Sequence, residues 1–230
     1  MKKFIACVVV LAGPICFAQN PDLPSDFLSK DFHFQRREKL RALLPQNSVA
    51  VFFANAVRNR SNDVDYAYHQ DPDFFYLTGY KEPHAVLLIF KEKQTAANGT
   101  QYNEIIFVQP RNPIREMWTG RRLGDTQTKE QLGFEQAFNN TEFEKYKLDF
   151  AAFKSVLFFD FKNDVRNVED DTGDLYDLIA QFKAKANYPG RQDALNLKQE
   201  PGRNNLNVTD LNSLMAKLRG VKTNEEIAMI

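Results

Sequence analysis

The sequence predicts an α/β fold in which a mixed β-sheet is flanked by helices on both faces. Three observations predict it. Continuous apolar runs at 48–54 (SVAVFFA), 85–90 (AVLLIF) and 155–160 (SVLFFD) show no polar alternation, as fits strands covered on both sides. Segments with helix start and stop signals lie between these runs, so strands and helices alternate. The runs at 85–90 and 104–108 are joined through a loop containing Gly99, which is the spacing of an antiparallel hairpin and makes the sheet mixed.

The chain opens with Lys2-Lys3, an apolar stretch from Phe4 to Leu11, and Cys16-Phe17-Ala18. A basic end, a short apolar core and small residues at −3 and −1 predict a secretory signal peptide, residues 1–18, cleaved after Ala18. The apolar stretch is too short, and interrupted by Gly13-Pro14, to be a good membrane span. Cleavage would remove Cys7 and Cys16, the only cysteines, and with them any disulfide, thiolate metal site or cysteine nucleophile. Residues 19–31 read as a polar, proline-containing leader. From 33 to 44, Phe34, Leu40, Leu43 and Leu44 fall on one side of an amphipathic helix, with Pro45 as its stop.

The stretch 65–90 (DYAYHQDPDFFYLTGYKEPHAVLLIF) organises the chain. Asp71 can accept a hydrogen bond from an orphan N–H, and Pro72 sits where no N–H is needed, so a short helix starts there. Asp73 adds negative charge at the positive end of its dipole. Phe74, Phe75, Tyr76 and Leu77 make it apolar on nearly every side, and Gly79 supplies a left-handed stop. Downstream, Asn112-Pro113 starts a short helix carrying Arg115, Glu116, Met117 and Trp118. Another runs from Thr126 to Leu132, ended by Gly133. Thr141 with Glu144 reads as a capping box opening a helix to about Phe153, and 174–186 is a further helix. Residues 209–218 read as helical, 219–222 as a connector, and Thr223 with Glu226 as a second capping box. Only about two turns of that last helix are present, too few for stability alone, so the chain is expected to be a fragment of a longer protein.

Thirty Lys and Arg balance thirty Asp and Glu, and loss of Lys2 and Lys3 would leave a net charge of −2. Both signs are spread along the chain, which argues against a nucleic-acid surface. Arg36-Arg37 and Arg121-Arg122 are local clusters that suit a solvated helix face or carboxylate pairing. Few residues suggest chemistry. His69, Asp71 and Asp73 spell H-x-D-x-D, but Asp71 is better used as a cap and Pro72 breaks the strand that would align three ligands. His33 and His84 stand alone and read as structural. No serine lies in a G-x-S-x-G elbow, and no glycine pattern forms a phosphate loop. Asn59, Asn98, Asn139 and Asn207 each begin an N-x-Ser/Thr triplet, which carries no weight without a known host.

YAYHQDPDFFYLTGYKEPHAVLL, followed by RNPIREMWTGRRLG at 111–124, resembles the N-terminal domain of aminopeptidase P, of the creatinase/prolidase group of metallopeptidases. The resemblance runs from about Phe32 to the end and implies the same α/β architecture. It also implies a dinuclear metal site, usually Mn²⁺, built from two Asp, one His and two Glu in a C-terminal domain. None of those motif positions occurs here, so no metal ligand and no catalytic residue is assigned to this chain. LRGVKTNEEIAMI resembles the join at which relatives pass into that catalytic domain. Asp63 and Trp118 match places where the family's N-terminal domain reaches a substrate cleft, often that of a neighbouring subunit. An Asp can bind a peptide's free α-amino group, and a Trp face can close over a prolyl side chain and exclude water. Against this, Asp63 could cap a turn and Trp118 could fill core.

The expected organisation is a signal peptide at 1–18, a leader at 19–31, an aminopeptidase P N-terminal domain at 32–206, and a linker with the start of a catalytic domain at 207–230. The expected function is that of the non-catalytic N-terminal domain of an exported, periplasmic or secreted Xaa-Pro aminopeptidase. The resemblance implies a homo-oligomer acting on peptides with proline in second position, with no nucleic-acid partner and no membrane association after signal cleavage. The rival is a stand-alone, non-catalytic peptide-binding or dimerisation module.

Overall fold

Strand β1 (Ser48–Phe53) is the pivot of a six-stranded sheet. It pairs antiparallel with β4 (Val86–Thr95) and parallel with β7 (Ser155–Phe158). Beyond β4 lie β5 (Gln101–Val108), antiparallel, and β6 (Ala137–Asn139), parallel to β5. Beyond β7 lies β8 (Leu206–Asn207), also parallel. A separate hairpin joins β2 (Asn59–Ser61) to β3 (Val64–Asp65). The structure, a computed structural model, describes residues 28–96, 98–162, 164–167, 172–189 and 204–229. The expected signal peptide, 1–18, and most of the expected leader lie outside the described residues.

The unbroken apolar runs follow from coverage on both faces. Because side chains alternate along a strand, Ala50, Phe52, Leu87, Ile89, Ile106 and Leu157 enter one core. There they meet α1 (Lys30–Leu43), α2 (Pro72–Thr78) and α6 (Asp210–Gly220). Val49, Val51, Val86, Leu88, Phe90, Phe107, Val156 and Phe158 enter the second core, under α5 (Leu175–Lys185). Helix α4 (Gly124–Leu132) packs beside α1, β5 and β6. The predicted mixed sheet with helices on both faces is the observed architecture.

Three local expectations are corrected. First, α1 buries Leu40 and Leu44 as expected, but Phe34 and Leu43 are exposed, and Phe32, His33, Arg36, Arg37 and Arg41 are buried with the two leucines. The cause is Glu104, an acid on the core face of β5. Arg37 donates to both of its carboxylate oxygens at 2.9 and 3.0 Å, to the Leu77 carbonyl at 2.9 Å, and lies over the Phe134 ring at 4.0 Å. Arg41 adds a bond to the same acid at 2.9 Å. Second, no helix runs from 141 to 153. A capping box does form, but between Asn139 and Glu142, and it opens only a 3₁₀ turn (Asn140–Glu142); a second turn follows (Phe150–Ala152). Phe143, Phe150 and Phe153 all reach the second core from these two turns. Third, α6 does not lie apart from the domain. Leu211, Met215 and Leu218 are buried in the first core, so the packed unit extends past residue 206 to α6.

Helix α2 forms as expected. Asp71 accepts from the N–H groups of Asp73 and Phe74, Pro72 occupies the first turn, and Gly79 closes it at φ 69°. A side chain at Gly79 would also meet the His33 ring at 2.8 Å. His33 donates from Nδ1 to the Tyr76 carbonyl at 2.9 Å, tying α1 to α2. Burial, reinforced by Arg37, holds its pKa below 6.5 despite that bond. The unfolded chain therefore takes up a proton near pH 6.5 that the folded one refuses. Stability from this site is complete above pH 6.5 and is lost as pH falls through the folded pKa. His33→Asn, which keeps a donor for Tyr76, is expected to flatten that limb. Urea midpoints between pH 7.5 and about pH 5 would show it, and an unchanged pH slope would refute it.

Candidate functional site

Strands β1 and β5 each run antiparallel to β4, and β7, β6 and β8 run parallel to them. Five carboxyl ends and the amino end of β4 therefore share one rim. After β1 the chain turns to α2 on one face; after β7 it passes to α5 on the other. Open α/β sheets form a crevice where neighbouring connections diverge in this way. A cavity of about 550 Å³ lies there, bordered by Ala54, Asn55, Phe159, Asp160 and Leu175.

Both residues singled out in the sequence stand on this rim. Asp63 is exposed in the two-residue turn between β2 and β3, beyond the end of β1. Asn62 adopts φ 49°, and the turn is held by Asn59 Nδ2, which donates to the Asn62 and Val64 carbonyls at 2.9 and 3.2 Å. Arg58 secures the hairpin from outside by an ion pair with Asp164 at 2.7 Å. These hydrogen bonds hold the turn through Asn59, leaving the Asp63 carboxylate facing solvent.

Trp118 lies on α3 (Pro113–Thr119), beyond the end of β5, and is 88 % exposed. It does not fill core. Ile114 and Met117 on the same helix are exposed too. A seven-residue helix that buries so little needs another anchor. Asn112 caps it by accepting from the Arg115 N–H. Glu116 reaches back to accept from Asn112 N at 2.9 Å and from Arg111 Nε and Nη2 at 2.7 and 2.9 Å. The Arg111 fork, helped by that N–H, holds the Glu116 pKa down to about 2. The clamp therefore stays charged through the physiological range.

The loops bearing Asp63 and Trp118 are linked rather than in contact. Gln70 Oε1 accepts from Asn55 N and from the Tyr68 hydroxyl, while its Nε2 donates to the Glu82 carbonyl. The Glu82 carboxylate accepts from the Tyr80 hydroxyl at 2.9 Å and from Leu123 N at 2.7 Å. Burial raises the Glu82 pKa, offset in part by these bonds. The sequence reading missed Asn59, Glu116's clamp and this Gln70–Glu82 chain. An acid four residues after a helix cap was the one available signal.

Among the described residues no group of three or more His, Cys, Asp or Glu is placed to hold a metal. His33 is committed to Tyr76, His84 Nδ1 accepts from Leu175 N at 3.0 Å, and Asp71 caps α2. The H-x-D-x-D alternation is therefore a helix start, and the residues present do not fit a metal centre. No helix among them is long and apolar enough to cross a membrane.

A six-stranded mixed sheet between two helical layers, with an exposed aromatic helix on its carboxyl rim, defines an α/β domain. The aminopeptidase P N-terminal domain family matches residues 33–158, and the chain belongs to that family. It is 38 % identical over 116 residues to a Xaa-Pro aminopeptidase of Haemophilus influenzae, covering 50 % of this chain and 26 % of the relative. It is 28 % identical over 195 residues to Xaa-Pro aminopeptidase 3 of Dictyostelium discoideum, covering 85 % of this chain and 32 % of that protein. The aminopeptidase PepP structure from Pseudomonas aeruginosa superposes with a TM-score of 0.64 at 25 % identity, over 87 % of this chain and 40 % of its own. The chain thus spans about a quarter to a third of the length of these curated relatives.

Proposed function

We propose that this chain is the non-catalytic N-terminal domain of an exported Xaa-Pro aminopeptidase, and that it supplies substrate-binding groups to a cleft completed by other parts of the protein. The observation that carries the reading is Trp118: a large apolar ring almost wholly in solvent, on a short helix locked by the Arg111–Glu116 clamp. Exposing so much apolar surface on a rigid mount has a physical cost unless something covers it. A peptide with proline in second position suits it, since the rigid ring packs flat on an indole. Asp63 on the same rim supplies the charge for the peptide's α-ammonium group. Both would act in the cleft of a homo-oligomer. A dinuclear centre, Mn²⁺ on the resemblance, would be held by a following domain and would there activate a water for hydrolysis. In this scheme residues 1–18 are the signal peptide, 19–31 the leader and 32–206 the N-terminal domain. Residues 207–230 lead into the catalytic domain, α6 remaining packed on the first.

The test is steady-state kinetics of the full-length protein with an Xaa-Pro peptide. Trp118→Ala and Asp63→Ala are each expected to lower kcat/KM by about 10- to 100-fold, from loss of roughly 1.5–3 kcal/mol of apolar or charge-assisted contact. Thermal stability should hardly change, because neither side chain is buried. Unchanged kinetics would remove both from the cleft. The exposed trio Ile114, Met117 and Trp118 also favours a second reading, a binding or dimerisation module without hydrolysis. Absence of turnover by the full-length protein, with and without Mn²⁺, would select it.

A further inference from the structure

A second cavity opens on the same rim, between the segment that follows β5 and the start of α5. It holds about 170 Å³, and polar side chains dominate its walls, among them His84, Gln109, Arg115, Arg122, Asn140 and Asp174. Most are already committed. His84 accepts from Leu175 N, and Asp174 caps α5 by accepting from Asp177 N at 2.8 Å. Arg122 is the exception. It is 8 % exposed, and among the described residues its Nε has no hydrogen-bond partner and no carboxylate forms an ion pair with it. Glu82 feels its charge, but the oxygens of Glu82 are taken by Tyr80 and Leu123. Asn140, 3 % exposed, donates from Nδ2 to the His84 carbonyl at 2.9 Å and leaves Oδ1 unpartnered.

A buried guanidinium whose Nε lacks an acceptor is costly, because desolvation there is not offset by a hydrogen bond. The complementary group is an anion with two coplanar oxygens. We propose that this cavity binds a small monocarboxylate, between acetate and a single amino acid in size, through a two-pronged contact with the Arg122 guanidinium. The volume excludes nucleotides and peptides of several residues. A single uncompensated cation, with the Asp174 carboxylate in the same wall, disfavours a dianion such as phosphate. Asn140 Oδ1 provides an acceptor for an N–H carried beside the carboxylate, as in a free amino acid.

The experiment is a titration of the ¹⁵N-labelled full-length protein with sodium acetate, glycine, sodium phosphate and sodium chloride at fixed pH and ionic strength. Shifts are read at the Arg122 Nε–H and the Asn140 side-chain amide. Acetate and glycine are expected to give saturable shifts at these two groups. Equal affinities assign recognition to the carboxylate alone, and tighter glycine adds Asn140 to the site. Arg122→Lys, which keeps the charge and loses the fork, should weaken binding about tenfold, and Arg122→Gln should abolish it. The wild-type titration stands alone if either variant fails to fold. An unsaturable response, an equal response to chloride, tighter binding of phosphate, or undiminished affinity in a folded Arg122→Gln protein would each overturn the proposal. None of these readouts depends on peptidase activity.

Discussion

Glu104→Ala is expected to destabilise the domain by about 3–5 kcal/mol, the range for stranding a buried charge. Glu104 is 1 % exposed and accepts three charge-assisted hydrogen bonds, two from Arg37 and one from Arg41. Its removal leaves Arg37, fully buried, with backbone carbonyls and the Phe34 and Phe134 rings but no counter-charge among the described residues. Arg41 is less affected because it also pairs with Glu38. The cost lies in the orphaned cation more than in the lost bond, and a double substitution separates the two. Arg37→Met combined with Glu104→Leu should recover most of the loss, since apolar groups of similar volume need no partners. Chemical denaturation of the four proteins in the cycle gives the coupling directly. A loss below about 1 kcal/mol for Glu104→Ala, the level of an ordinary surface pair, would show that the ion pair does not hold α1 on the sheet.

Phe182→Ala comes next, also expected at about 3–5 kcal/mol. Phe182 is fully buried on α5 and is the meeting point of the second core. Its ring lies 5.1 Å from Phe150 and Phe158, 5.5 Å from Phe53 and 6.0 Å from Phe161, each at a steep interplanar angle. Four edge-to-face neighbours cannot all close on the void an alanine leaves, so both the transfer and the cavity contributions should appear. Phe182→Leu, which fills part of that space, should cost clearly less. Calorimetry of both variants tests the order, and equal losses would mean that the core relaxes freely around the site. Phe53 and α5 also border the 550 Å³ crevice, so the substitution should loosen the rim as well.

Much of the fold was legible because its signals are local. Helix α2 carries its start, charge and stop within nine residues, and the three apolar runs could not form exposed strands. The Asn112-Pro113 start of α3 was equally plain. The edge strands β6 and β8 and the β2–β3 hairpin were not, since two or three residues carry too little periodicity. The segment 141–153 read as helical because a capping box declares a start but not a length. At the candidate site, Asp63 and Trp118 were legible through resemblance alone. The exposure of Trp118 and the clamp beneath it were not legible, because an aromatic residue in a sequence looks the same in a core and in solvent.

Local sequence alone determined where the main strands and capped helices begin, and that both sheet faces would be covered, since hydrophobic runs and caps act over a few residues. Tertiary structure alone decided that α1 turns arginines inward, that five strand ends share one rim, and that the buried Arg122 has no acceptor for its Nε among the described residues. Those outcomes depend on contacts between residues tens of positions apart, such as Arg37 with Glu104 and Asn140 with His84, and a buried charge is stable or costly only by virtue of what the fold brings beside it.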